Sequence, residues 1–212
     1  MVMFKTIQKL KNAERAFIVC IGDSITEQNF HLHGKLNYVG QLAERLMELS
    51  LRKSRVFNAG SSGDTSWGVS ERLERDALRF NPDLVIVMLG INDSQRGLEQ
   101  IPEFKRNMKS IISRITESGS EVLLLSQNML DYNLIEPSVV IRATYPEYIA
   151  ALREVAETTQ TPLCDLYQRW GEYVGGNTNT HIMLMNDSIH PNDRGHALMT
   201  KVLFNYLEIS QD

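Results

Sequence analysis

Short runs rich in Val, Ile, Leu and Phe recur along this chain, each closed by turn chemistry and separated from the next by a longer stretch of helical spacing. The runs cover 16–21, 55–57, 84–89 and 122–126, with a weaker one over 162–166. They are too short for buried helices, and continuous apolar runs of this length suit strands covered on both faces, as in a parallel sheet. Between them, 38–51 places Val39, Leu42, Leu46 and Leu49 on one side, and 104–115 does the same with Met108, Ile111, Ile112 and Ile115. Further helices are predicted over 69–80, 146–159 and 193–207. The alternation of strand and helix predicts an α/β fold, a doubly wound parallel sheet with right-handed crossovers. Ligands of such a sheet bind outside the carboxyl ends of its strands. The longest irregular stretch, 128–144, follows the fourth strand and is expected to lie over that edge.

Composition narrows the class. With 212 residues, 42% hydrophobic and 23% charged, the chain reads as a soluble globular protein, and one domain over 1–212 suffices to bury a core. A net charge of -4, with Lys and Arg scattered through helical stretches, gives no electrostatic reason to bind nucleic acid. Cys20 and Cys164 sit in or beside apolar runs and are expected as buried, reduced thiols. Residues 1–15 lack the pattern of a secretory leader, and no run approaches the roughly 20 apolar residues that cross a bilayer. Cytoplasm is the expected location, without stable membrane insertion. Homo-oligomerisation is left open by the sequence.

The chemistry-bearing residues gather at strand ends. After the first strand comes Gly22-Asp23-Ser24-Ile25-Thr26, after the second Asn58-Ala59-Gly60-Ser61-Ser62-Gly63-Asp64-Thr65, and after the third Gly90-Ile91-Asn92-Asp93. Asp187-Ser188-Ile189-His190-Pro191 precedes the last helix. Singly, each has a structural reading: Ser24 as a helix cap, the glycines as turn formers, Asn92-Asp93 as a turn, and 187–190 as the cap of the final helix. Together they supply the parts of acyl transfer. A serine hydroxyl needs a base, imidazole titrates in the right range, and a carboxylate must fix its tautomer and stabilise its cation. Asp187 and His190, three residues apart, can present base and orienting carboxylate from one turn. The N–H groups of Ser24 and Gly63 with the Asn92 amide can receive the oxyanion.

In these four blocks, in this order, the chain resembles the SGNH branch of the GDSL hydrolases. The first block differs slightly, reading Ile25-Thr26 where the name-giving version has Leu. The resemblance implies a flavodoxin-like three-layer α/β/α sandwich with a five-stranded parallel sheet, and a site without metal or organic cofactor. It also implies Ser24 as nucleophile, Asp187 and His190 as its partners, and Ser24, Gly63 and Asn92 as oxyanion hole.

Around these, Asp23, Trp67, Asp131 and Tyr132 are candidate substrate contacts, as is Tyr145, on position alone; Trp67 reads equally as ordinary packing. Asn37 reads as a helix N-cap, and Asp64 and Asp93 as residues that orient turns. His31, His33, His181 and His196 compete with His190 as base; His196 falls inside the predicted final helix and His31 and His33 in a polar loop, where a surface or packing role is the default. The expected substrate is a small-molecule ester with a short acyl group, acetyl foremost, on a carbohydrate or other polar alcohol. The expectation rests on site loops, 28–37 and 128–144, that mix polar and aromatic residues without a long apolar stripe. A lysophospholipase or thioesterase is the alternative within the family, and a catalytically silent binding module the alternative outside it. A nucleotide- or flavin-binding protein is disfavoured, because the loop after the first strand carries no Gly-rich phosphate cradle.

Overall fold

In the computed structural model, which describes residues 4–27 and 32–210, the five apolar runs form one parallel sheet. The strands are β1 (Ala16–Gly22), β2 (Ser54–Gly60), β3 (Leu84–Met88), β4 (Glu121–Leu125) and β5 (Leu163–Cys164), in the order β2-β1-β3-β4-β5. From β1 the chain builds one edge, and from β3 onward it builds the other. Loops leaving β1 and β3 therefore part in opposite directions and open a crevice between them. Gly22, at the end of β1, lies opposite Gly60 on one side and Met88 on the other.

Ten α-helices cover the sheet among the described residues: α1 (Lys5–Lys11), α2 (Ser24–Glu27), α3 (Tyr38–Leu49), α4 (Ser66–Asp76), α5 (Ile101–Glu117), α6 (Pro137–Val140), α7 (Tyr145–Thr159), α8 (Leu166–Val174), α9 (Thr178–Ile182) and α10 (Asp193–Leu207). α3 packs on α1 and α10, and α10 on α8, while α4, α5 and α7 pack side by side. The result is the flavodoxin-like three-layer sandwich, with one contiguous cluster of buried apolar residues on both faces of the sheet.

Caps fix where the helices start. Asn37 accepts from the N–H of Gly40 at 2.9 Å, and Asn192 accepts from those of Arg194 and Gly195 at 2.9 and 3.1 Å. Asn37 is thus an N-cap, as its sequence position suggests. Thr65 caps α4, which begins three residues before the predicted start and ends at Asp76, leaving Leu78–Phe80 as a separate 3-10 turn. β2 continues through Asn58, Ala59 and Gly60, which the sequence assigns to a loop; their pairing with β1 overrides the local turn chemistry. α1 and α8 were not predicted. α8 nonetheless carries its signal: an Asp165 cap, then Leu166, Trp170 and Val174 at spacings of four, all buried.

Two features lock the carboxyl edge. α2 crosses so close over the end of β2 that a Cβ on Gly60 would lie 2.1 Å from the Glu27 nitrogen. Arg72, from α4, donates to the carbonyls of Gly22 and Ala59 at 2.9 and 2.8 Å and to Asp64 at 2.5 Å. Its guanidinium thereby adds a charged donor to two carbonyls at the end of the β1–β2 ladder and ties them to α4. Cys20 and Cys164 are buried and unpaired, and burial pushes both thiols up to about 12. No described helix is long and apolar enough to cross a membrane.

Gly60→Ala is expected to cost roughly 2–3 kcal/mol by overpacking against backbone, lowering Tm by about 5–10 °C. An unchanged melting curve would mean that α2 moves aside freely. Arg72→Leu should cost more, about 3–5 kcal/mol, because it leaves Asp64 and two carbonyls without their cationic donor. A Tm loss below about 2 °C would show that these bonds add nothing net.

Candidate active site

Ser24 opens α2 immediately beyond β1. The N–H groups of Thr26 and Glu27 bond back to the Asp23 carbonyl at 3.1 and 2.9 Å, making the turn tight enough to aim the hydroxyl across the sheet edge. Ser24 Oγ lies 2.9 Å from His190 Nε2, and His190 Nδ1 lies 2.8 Å from Asp187 Oδ2. An ionised carboxylate only accepts, so the ring proton belongs on Nδ1, and Nε2 is left to accept from Ser24. Asp187 Oδ1 takes the N–H groups of Ile189 and His190, both at 2.7 Å. Burial pushes the Asp187 carboxyl up, but the His190 ring and these two N–H groups outweigh it and hold it well below the usual carboxylate range. The turn is closed by Asn186 N–H to the His190 carbonyl at 2.8 Å and pinned by Asn128, which donates to the Ile189 carbonyl at 3.2 Å.

The other blocks are tied to the same place by direct bonds. Ser61 N–H donates to the Gly22 carbonyl at 3.0 Å, bringing the loop after β2 against the end of β1. Gly63, at φ +78°, makes a turn that a side chain would strain. Asn92 follows β3; its Nδ2 donates to the Asp64 carbonyl at 3.0 Å and approaches Asp23 Oδ2 at 3.4 Å. Asn92 Oδ1 accepts from Gln95 at 3.3 Å and Arg142 at 3.2 Å. Among the described residues, the N–H groups of Ser24 and Gly63 donate to no protein acceptor. Of the three candidate oxyanion donors, the two backbone groups are thus still available to an anion.

Asp23 needs correction as a candidate substrate contact: it is 0% exposed. Its carboxylate accepts from Ile25 N–H at 3.0 Å and Gln127 Nε2 at 2.8 Å, beside the long contact to Asn92. Burial pushes its pKa up to about 6 despite the Gln127 and Ile25 donors. Tyr145 is corrected likewise: it is buried, with its hydroxyl on the Asn128 carbonyl at 3.3 Å. Trp67 is 54% exposed on the first turn of α4, near Asp93 and Arg96. Asp131 and Tyr132 line a cavity of about 270 Å³ with Met129, Val174 and His181, and Ser24, His190 and Asn92 are not among its walls.

Asp93 accepts from Ser66 through N–H and hydroxyl, the latter at 2.5 Å, and so joins the third block to α4. Of the rival histidines, His196 is buried with Nδ1 accepting from Tyr38 N–H at 3.2 Å, and burial and nearby His190 hold it down at about 3. His181 is buried, with Nδ1 accepting from Trp170 at 3.3 Å. His33 is exposed, and His31 lies outside the described residues. Among the described residues, no three His, Cys, Asp or Glu side chains group closely enough to hold a metal ion.

Sequence reasoning missed Gln127, Arg72 and Arg142. Gln127 was within reach of the strand-end rule, since it leaves β4 just as the other blocks leave their strands, and its Oε1 accepts from Ile91 N–H at 2.8 Å.

The family model for the GDSL-like Lipase/Acylhydrolase family matches residues 20–198. Esterase TesA of Pseudomonas aeruginosa is 31% identical over 82% of this chain and 79% of its own length. An acetylxylan esterase of Geobacillus stearothermophilus is 26% identical over 87% of this chain and 90% of its own. Among solved structures, LAE5, an alpha/beta hydrolase enzyme from the metagenome of Lake Arreo, superposes with a TM-score of 0.77 at 24% identity, covering 93% of this chain and 97% of that one. The chain therefore belongs to the GDSL-like Lipase/Acylhydrolase family and is a carboxylic ester hydrolase.

Proposed function

We propose that the protein removes short acyl groups, acetyl foremost, from hydroxyls of a carbohydrate or other polar alcohol, through an acyl-enzyme on Ser24. The observation that carries this reading is the relay from Ser24 Oγ through His190 to Asp187, with contacts of 2.9 and 2.8 Å. His190 Nε2 takes the hydroxyl proton as Ser24 Oγ bonds to the ester carbonyl carbon, and the ionised Asp187 stabilises the imidazolium. The carbonyl oxygen, now negative, is received by the N–H groups of Ser24 and Gly63 and by the Asn92 amide. His190 returns the proton to the departing alcohol. Water then enters by the same route, and its attack on the acyl carbon releases the acid and restores Ser24.

Support for the acyl group comes from the relative named acetylxylan esterase, which this chain matches over most of both lengths. A cavity of about 410 Å³ beside Asp187 and Ser188, walled by Leu134, Ile182 and Met185 with Glu136 and Asn186 but by neither Ser24 nor His190, supports a polar alcohol that extends past the base turn. Such a mix of apolar faces and polar edges suits a sugar ring more than an acyl tail. Exposed Trp67 is a candidate contact on the far side of the hole. Two reduced thiols suit a cytoplasmic setting.

Ser24→Ala is expected to lower kcat on p-nitrophenyl acetate at least about 10⁴-fold, and Asp187→Asn about 10³- to 10⁴-fold by favouring the wrong tautomer. Along p-nitrophenyl esters from acetyl to dodecanoyl, kcat/KM should peak at acetyl; an optimum at octanoyl or longer would overturn the acyl assignment.

Asp23 gives a stability signature. Its folded pKa of about 6 exceeds the unfolded value of roughly 3.9, so its protonated form is favoured by folding. The contribution is fully present below about pH 4 and is lost as pH rises to about 6. Asp187, held low, acts in the opposite sense, stabilising above about pH 4 and failing in acid. Urea unfolding at pH 4 and pH 7.5 should therefore show Asp23→Asn gaining on the wild type by about 2–3 kcal/mol as pH rises. A difference independent of pH would show that Asp23 titrates normally.

A further inference from the structure

Arg142 stands in the segment between α6 and α7, far in sequence from all four blocks, yet its guanidinium reaches the site. The residue is 9% exposed. Nη2 donates to Asn92 Oδ1 at 3.2 Å, Nη1 donates to the Ser138 carbonyl at 2.7 Å, and buried Nε has no hydrogen-bond partner. Burial lowers its pKa, while the charges of Asp23 and Asp187 work against that drop, which places this cation within the field of both carboxylates. Burying a guanidinium with two bonds and an orphaned Nε is costly, and an apolar side chain would hold the segment better. A stability role alone does not account for it.

We propose that Arg142 is a positioning residue for ester hydrolysis: it locks the Asn92 amide with Nδ2 toward the oxyanion and strengthens that donor. This rests on the reading of Asn92 as an oxyanion-hole group. Gln95 Nε2 and Arg142 Nη2 are donors only, so both fix the side of Asn92 that faces them as oxygen, and the amide cannot flip. Nδ2 is thereby held against the Asp64 carbonyl, one residue from Gly63, where the oxyanion forms. A cation on Oδ1 polarises the amide, and the N–H at its other end becomes a stronger donor as negative charge develops. The Asp64 carbonyl and the Asp23 carboxylate both face Nδ2 and would otherwise weaken it toward an anion.

The same segment also touches the base. Ser138 Oγ lies 2.6 Å from Ser188 Oγ, inside the Asp187–His190 turn. Through the Ser138 carbonyl, Arg142 links the turn that carries the base to the amide that receives the charge.

A double-mutant cycle on p-nitrophenyl acetate, with kcat, KM and Tm measured for every variant, tests this. Asn92→Ala should lower kcat about 10²- to 10³-fold. Arg142→Met should lower kcat about 10- to 30-fold with KM within twofold, whereas in the Asn92→Ala background the same change should cost less than about threefold. Arg142→Lys, which keeps a cation able to reach Asn92, should recover most of kcat; Arg142→Gln, which keeps a polar tip without the cation, replaces the Met variant in the cycle should that one fail to fold. An equal loss in both backgrounds, or a loss confined to KM, would overturn the assignment and leave Arg142 as a tie within the segment. Full activity in Asn92→Ala or Ser24→Ala would instead overturn the catalytic reading beneath it.

Discussion

The site is organised around a carboxylate that substrate never meets. Asp23 is fully buried beside the nucleophile and accepts from three donors: the N–H of Ile25, the side-chain amide of Gln127 and, more distantly, that of Asn92. An ion in such a place is tolerated only when its lone pairs are filled, so the three donors cannot drift without leaving a charge uncompensated. Because they come from α2, from the end of β4 and from the loop after β3, one buried charge sets the mutual distance of three chain segments. Burial still opposes that arrangement and raises the carboxyl's pKa to about 6 despite the donors.

Around this hub the carboxyl edge of the sheet is sewn together by polar side chains beyond the ladder bonds. Arg72 donates to the carbonyls of Gly22 and Ala59, Asp93 accepts from Ser66, and Asn58 and Asn37 both donate to the Thr26 carbonyl at 2.7 Å. Strand ends leave backbone groups unpaired, and in a water-poor crevice each of them needs a partner. The rigidity these partners confer is what preorganised charge stabilisation requires. The base turn stands apart from this framework. It is built from its own hydrogen bonds, with Asp187 serving both as cap for Ile189 and His190 and as acceptor for the imidazole, and it reaches the framework through the 128–144 segment.

The legibility of the sequence follows the range of the forces involved. The α/β alternation was readable because each strand and helix carries its pattern locally: β1 and β3 as apolar runs, α5 and α10 as helical stripes. Where the local pattern is weak, boundaries slipped. Residues 58–60 look like a turn yet extend β2, because their pairing comes from β1; α8 has its apolar spacing diluted by Gln168, Arg169, Gly171 and Glu172. The four chemical blocks were readable because each is a contiguous string of unusual residues placed at a strand end or before a helix.

What the sequence determined by itself is therefore the inventory: five strands, the main helices, and the residues competent for acyl transfer in four blocks. Tertiary structure alone decided which of those residues turn inward and which distant ones join them. Asp23, adjacent to the nucleophile in sequence, faces away from substrate, and Arg142, fifty residues from Asn92, lies against its amide. Burial and long-range hydrogen bonds depend on how the layers close. No local pattern encodes a partner whose distance is fixed only when the sheet and its two helical layers have packed.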